Sequence, residues 1–260
     1  MLQQSTSKLI SEDQQIQYLL HLADNALILS HRNSQWCGHG PILEQDIALT
    51  NIALDQLGQA RNLYQYAALL ITEKTGIPTT EDQLAYLRDV GEFKNCLIAE
   101  IPNGDWGQTV LRNFLMGSYQ FFLYQELQQI ATGQLKSIAD KSIKEITYHV
   151  RWSADWVVRL GDGTTESHTR MEQALELLWS YTGEMLEPSD YEQELIGTQS
   201  TYIKAAWEAK IAAVLAEAKL DHPKNDWMQS GGKKGIHTEH LGYLLAEMQF
   251  LQRAYPGLDW

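Results

Sequence analysis

Residues 41–71, PILEQDIALTNIALDQLGQARNLYQYAALLI, contain no proline beyond Pro41. Proline inside a helix removes a hydrogen bond and clashes with the preceding turn, so this stretch is free to form one long helix. Leu49, Ala53, Leu57, Ala60, Tyr64, Ala67 and Ile71 recur at helical spacing and define one apolar stripe. A second stretch, 134–160, places Ile143, Ile146, Val150, Ala154 and Val157 on one side in the same manner. The polar residues echo each other too. Asp55-Gln-Leu-Gly-Gln59-Ala-Arg61 in the first stretch answers Glu145-Ile-Thr-Tyr-His149-Val-Arg151 in the second. Helices of this length with one apolar stripe must bury it against other helices, which points to an all-α bundle with these two as long antiparallel core members.

Eight helical segments are predicted, at about 11–33, 41–72, 80–91, 105–130, 134–160, 166–186, 199–220 and 238–254. In the first, Leu19, Leu22, Ala23, Ala26 and Leu29 or Ser30 keep the period. Cys37-Gly38-His39-Gly40-Pro41 reads as a turn, Gly76-Ile77-Pro78 as a stop and Asp105 as an N-cap. Segments 187–198 and 221–237 read as the longest irregular stretches. Few residues alternate with period two, so no sheet is expected. No linker is long or polar enough to divide the chain. The expectation is a single domain over 1–260, with 1–12 as a flexible N-terminal extension. The last helix carries Leu241, Leu244, Leu245, Met248 and Leu251, which serve either the core or a partner contact.

At 44% hydrophobic residues over 260 positions the chain can bury a large core. Its formal charge of −13, with Lys233-Lys234 as the one basic pair, excludes nucleic-acid binding. Cys37 and Cys96 are too few for a disulfide framework or a four-thiolate site. The start, MLQQSTSKLISEDQQ, lacks an apolar signal core, and no run of about 18 apolar residues occurs. A cytoplasmic protein without a membrane span is expected.

Helical bundles of this pattern can hold two iron ions, and that site takes Glu-x-x-His from each of two helices. The residues three positions before the eight histidines are Tyr18, Ile28, Trp36, Ile146, Thr165, Lys219, Lys234 and His237, none of them acidic. Gly58 and Tyr148 stand where the histidines of the two long helices would have to be. No metal is therefore expected in this chain. Asp55, Gln59, Glu145 and His149 are read as structural polar residues at a lapsed site, with Glu145 and His149 bonded one turn apart. A metal held by Glu145, His149 and Asp55 in a non-standard way is the competing reading, and a generic helical interaction module is a third. Cys37 and His39 lack the further ligands of a zinc site and the third member of a catalytic set. Gly231-Gly-Lys-Lys-Gly-Ile-His237 leads into a helix, whose N-terminus attracts anions, but lacks the phosphate-loop spacing.

Several long strings are similar to one family. SHRNSQWCGHGPILEQDIALTNIALDQLGQARNLYQYA, EIPNGDW, IKEITYHVRWSADWVVRLGDGT, AAWEA and GGKKGIHTEHLGYLLAEMQFLQRAYPG resemble the non-catalytic, ferritin-like subunits of bacterial phenylacetyl-CoA epoxidases. The likeness runs from about residue 16 to the end and is weakest over 187–200. It implies a ferritin-like bundle with additional C-terminal helices, serving a multicomponent oxygenase that converts phenylacetyl-CoA to its ring 1,2-epoxide with O2 and NADPH during aerobic phenylacetate degradation. It implies as partners a sister subunit holding the di-iron centre, a small bridging subunit, and a reductase bearing flavin and an iron–sulfur cluster. It further implies that Glu92, Phe93, Lys94 and Asn95, with Gln193, Glu194 and Leu195, help form the acyl-CoA site. Lys233 and Lys234 are added from local chemistry, as cations suited to the CoA phosphates.

Overall fold

The computed structural model describes residues 11–224 and 227–258. Four long helices make its centre: α1 (Glu12–Ser34), α2 (Leu43–Thr75), α5 (Trp106–Ile130) and α6 (Gly133–Gly161). The smaller helices are α3 (Glu81–Tyr86), α4 (Leu97–Glu100), α7 (Thr165–Trp179), α8 (Gly183–Leu186), α9 (Asp190–Ile196), α10 (Ser200–Glu217), α11 (Glu239–Met248) and α12 (Phe250–Ala254). No strand occurs among the described residues, and the fold is an all-α, ferritin-like bundle. None of these helices is long and apolar enough to cross a membrane.

Helix ends follow local chemistry. Ser11 caps α1 and Glu12 opens it, while residues 1–10 of the expected extension lie outside the described residues. Gly76, at φ 71°, closes α2 in the left-handed conformation that only glycine adopts without strain. The Asp105 side chain accepts from the Gln108 amide at 2.9 Å, as the sequence predicted.

Pairs of bonded residues fix the helix directions. Lys74 meets Asp13, Tyr64 meets Asp24 and Ala53 meets Ser30, so α1 and α2 are antiparallel. Gln128 bonds Asp140, and the Trp106 ring touches those of Trp152 and Trp156, so α5 and α6 are antiparallel too. Across the two hairpins Gln45 meets Trp152 and Trp156, whereas Gln59 meets Glu145, which sets α2 antiparallel to α6. Between them lies an apolar core with a buried amide cluster at its heart. Asn33 bonds Gln56 at 2.9 Å and exchanges two hydrogen bonds with Asn113. These polar groups explain a departure from the predicted stripe on α2. Gln56 and Gln59 turn inward and Leu57 faces out, 39% exposed.

The EIPNGDW string is explained by two arginines. Arg32 donates to the Glu100 carbonyl, and Arg112 donates to the Ile101 carbonyl and the Asn103 side chain. Asn103 donates in turn to the Arg32 carbonyl. Burial lowers the Arg112 pKa to about 9, helped by neighbouring Arg32.

Four predicted segments differ in the structure. The helix expected over 80–91 stops at Tyr86, because Arg88 turns inward to Asp24, and a single 3-10 turn follows at Val90–Glu92. The segment 166–186 breaks after Trp179, where Thr182 Oγ1 bonds the Trp179 carbonyl. The stretch 187–198 is not irregular but contains α9, opened by a capping box of Ser189 and Glu192. The last helix breaks at Gln249, whose amide reaches the carbonyls of Ala85 and Arg88.

Candidate functional site

The four residues read as a lapsed site lie on two facing helices. Asp55 and Gln59 on α2 face Glu145 and His149 on α6. His149 Nε2 lies 3.0 Å from Asp55 Oδ2, and the Gln59 amide donates to Glu145 Oε2 at 2.9 Å. Glu145 and His149 do not bond each other along α6 as predicted; each instead reaches across to the neighbouring helix. His149 is 3% exposed and Gln59 2%. A di-iron site needs carboxylates and imidazoles converging with free lone pairs. Here Gln59 offers an amide N–H toward Glu145, and the His149 nitrogen facing α2 bonds Asp55. Among the described residues no three His, Cys, Asp or Glu side chains group closely enough to share an ion. The donor set does not fit a metal pair. Below it, Gln45 Oε1 accepts from the indoles of both Trp152 and Trp156.

Cys37 and His39 form a turn. Both are exposed, and His39 Nδ1 donates to the Cys37 carbonyl at 3.1 Å.

The second site joins three segments that are distant in sequence. Residues 93–96 run extended along the flank of α1, and side chains rather than a sheet satisfy their backbone. The Lys94 amide donates to Asp24 Oδ2 at 2.7 Å, and the Lys94 carbonyl accepts from His21 Nδ1 at 2.7 Å. The Cys96 amide donates to Asn25 Oδ1 at 2.8 Å, and the Phe93 carbonyl accepts from His237 Nε2 at 2.9 Å. Asp24 also binds the Tyr64 hydroxyl and the Arg88 guanidinium. Burial works against the Arg88 charge, yet Asp24 outweighs it and raises the pKa.

The glycine loop before α11 closes on this segment from the far side. A Cβ on Gly232 would stand 2.2 Å from the Asn95 carbonyl oxygen, and one on Gly235 equally close to that of Gly91, so only glycine fits at either position. Glu184 accepts from the amides of Leu97, Gly231 and Lys233. Glu100, fully buried, accepts from four donors: Asn95 Nδ2, His237 Nδ1, and the amide and hydroxyl of Thr238. His237 has oxygen acceptors at both ring nitrogens, Glu100 and the Phe93 carbonyl, an arrangement that only the doubly protonated cation satisfies. Burial opposes that charge, but the bond to Glu100 outweighs it and the His237 pKa is raised.

Phe93 and Asn95 are fully buried, Glu92 is exposed, and Lys94 is half-buried with Nζ 5.6 Å from the centre of the Tyr191 ring. Burial lowers the Lys94 pKa, against the pull of Asp24. Gln193 and Glu194 are exposed on α9, and Leu195 packs partly against the core. Lys234 is exposed. Lys233 is not: it is 4% exposed, and its ammonium bonds both Glu192 oxygens, at 2.9 and 3.1 Å, and the Glu187 carbonyl at 2.9 Å. Tyr191 Oη donates to the Lys233 carbonyl at 3.1 Å. Sequence reasoning nominates the three segments separately and misses Tyr191, Glu192 and Glu184, which bind them together. The Ser189-x-x-Glu192 spacing is the available signal for that region.

Comparison with known proteins identifies a family. Residues 2–260 match the family model described as "Phenylacetic acid catabolic protein". Over 247 residues the chain is 44% identical to an Escherichia coli (strain K12) protein named as one of the subunits of 1,2-phenylacetyl-CoA epoxidase, covering 94% of this chain and 98% of that one.

Proposed function

The chain belongs to the phenylacetic acid catabolic protein family, and from that premise we propose that it is the non-catalytic structural subunit of a multicomponent phenylacetyl-CoA 1,2-epoxidase in aerobic phenylacetate degradation. The observation that carries the non-catalytic role is the lapsed site: Asp55 with His149 and Gln59 with Glu145 satisfy one another where a di-iron protein would turn ligands to metal. The iron then belongs to a sister subunit that this chain pairs with and supports. A small bridging subunit and a reductase supplying NADPH-derived electrons through flavin and an iron–sulfur cluster complete the proposal. The complex works in the cytoplasm, where acyl-CoA and NADPH are found, and the chain is read as one domain over its length.

The proposal includes a share in the acyl-CoA site, formed where Glu92–Asn95, Gln193–Leu195 and the glycine loop meet. Support comes from Tyr191 and Glu192, just before Gln193–Leu195, which join the glycine loop beside Lys94, and from Lys94, a half-buried cation whose ammonium is in ion-pair contact with no carboxylate among the described residues. A CoA phosphate is a suitable acceptor for such a donor. Phe93 and Asn95 contribute by shaping the segment from within, and Lys234 offers a second exposed charge.

The test is co-expression with a ferritin-like homologue that carries two Glu-x-x-His motifs. The two chains are expected to purify together, with iron in the homologue, and NADPH-dependent epoxidation of phenylacetyl-CoA should require both. Full turnover by the homologue alone, or two irons bound to the present chain alone, would refute the proposal.

A further inference from the structure

Lys233 looks in sequence like a free phosphate-binding cation, and its surroundings give it another task. Its three ammonium protons are taken by Glu192, which is fully buried, and by the Glu187 carbonyl, with the Met185 carbonyl 3.4 Å away. No donor is left for a ligand. The same ion pair ties the end of α8 and the first turn of α9 to the glycine loop. Tyr191, the residue before Glu192, is fixed at two points: its hydroxyl bonds the Lys233 carbonyl, and its ring lies beneath the Lys94 ammonium. His21, whose ring stands 5.9 Å from that of Tyr191 and 3.6 Å from Glu192, holds the Lys94 carbonyl from below. Lys94 is thus clamped through its backbone by α1 and through its side chain by α9.

We propose that Lys233 and Glu192 are positioning residues that hold the Tyr191 ring under the Lys94 ammonium and so aim that one cation at the phosphates of a bound acyl-CoA. The inference rests on the acyl-CoA reading above. A cation over an aromatic face keeps its charge while its outward N–H groups remain free to donate. A buried ion pair is a suitable fixture, because parting the two charges leaves each buried and uncompensated.

The experiment measures the Kd of phenylacetyl-CoA for the assembled complex by calorimetry, alongside the thermal midpoint of each variant. Lys94→Met is expected to weaken binding about tenfold, the loss of one charge-assisted contact. Glu192→Gln combined with Lys233→Met removes both charges together, so the chain should fold, and it should lose several-fold in affinity. Tyr191→Phe keeps the ring and cuts its tie to Lys233, and it should lose affinity less than additively with the Glu192/Lys233 pair. As a spectroscopic signature, the Lys94 ε-methylene proton resonance is expected to lie upfield in the native chain, because Nζ stands 5.6 Å from the centre of the Tyr191 ring, and to return toward its free position in the paired variant. If Lys94→Met weakens binding while the paired variant and Tyr191→Phe bind normally with the methylene shift intact, the positioning role is wrong and the acyl-CoA reading stands. If the paired variant weakens binding additively with Lys94→Met and the methylene shift is intact, Lys233 acts on its own and the positioning role is equally wrong. If Lys94→Met binds as tightly as wild type, the acyl-CoA reading of this site falls, and the positioning role with it.

Discussion

His149 Nε2 and Asp55 Oδ2 stand 3.0 Å apart across the seam of α6 and α2, one side chain almost wholly buried and the other a third exposed. The pair is a bond between helices. His149→Ala is expected to lower stability by about 1–3 kcal/mol, through the lost bond and the polar partner left behind. Thermal unfolding reads this directly. Epoxidation per assembled complex should stay near wild type; a large loss of turnover with stability intact would make His149 a chemical participant.

Iron content tests the same seam independently. Chain produced alone in iron-supplemented medium is expected to carry no stoichiometric iron, since Gln59 and Glu145 are bonded to each other and the acid-x-x-His spacing is absent. Metal analysis giving two irons per chain would show that these helices rearrange to bind it.

Stability near His237 should depend on pH with a definite sign. Its folded pKa is raised above the unfolded value of about 6.5, so its contribution is fully present below that pH and is lost as pH rises through the folded value. Urea denaturation between pH 5.5 and 9 should show stability falling along this window, and His237→Gln should flatten that part of the curve. Glu100→Gln is expected to cost more, about 3–5 kcal/mol, because it strands a buried cation.

The C-terminal helices separate core from surface. Leu244 is 4% exposed, whereas Tyr243 and Phe250 are 69% and 62% exposed. Leu244→Asp should unfold the chain, as seen by circular dichroism. Tyr243→Asp with Phe250→Asp should leave the fold intact, and loss of co-purification with the sister subunit in that variant would identify this patch as a contact. A folded Leu244→Asp chain would mean that α11 is only loosely attached.

Lys94→Ala should raise the KM for phenylacetyl-CoA by about tenfold, toward the lower end of what a charge-assisted contact contributes because the side chain is half in water. Steady-state assays of the complete complex provide the check. An unchanged KM both here and in Lys233→Ala with Lys234→Ala would confine this subunit to scaffolding.

The long helices are readable because their signals are local. An apolar stripe, a terminal glycine and a capping aspartate each lie within a few residues of what they determine, so the predicted ends of α1, α2, α5 and α6 fall within a few residues of the observed ones. The breaks at Arg88, Thr182 and Gln249 are not readable, since Arg88 and Gln249 answer groups far away in sequence, and nothing local distinguishes a surface arginine from one drawn to Asp24. Lys233 is the plainest case. Beside Lys234 in a glycine loop it reads as exposed, and only the position of Glu192, on a short helix whose one local signal is its Ser189-x-x-Glu192 capping box, reverses that. The segments nominated for the acyl-CoA site come from family likeness, whereas the place of Tyr191 beside Lys94 requires the fold.

Three buried carboxylates, Glu100, Glu184 and Glu192, each accept part of their hydrogen bonds from residues 231–238. Every long helix of the bundle is therefore synthesised before the groups that complete the region beside α1. During translation those acids must wait, hydrated, until the glycine loop leaves the ribosome, and only then can the segment around Lys94 be sealed. A chain ending shortly before Gly231 would contain all four long helices and leave the segment around Lys94 without the glycine loop that closes it.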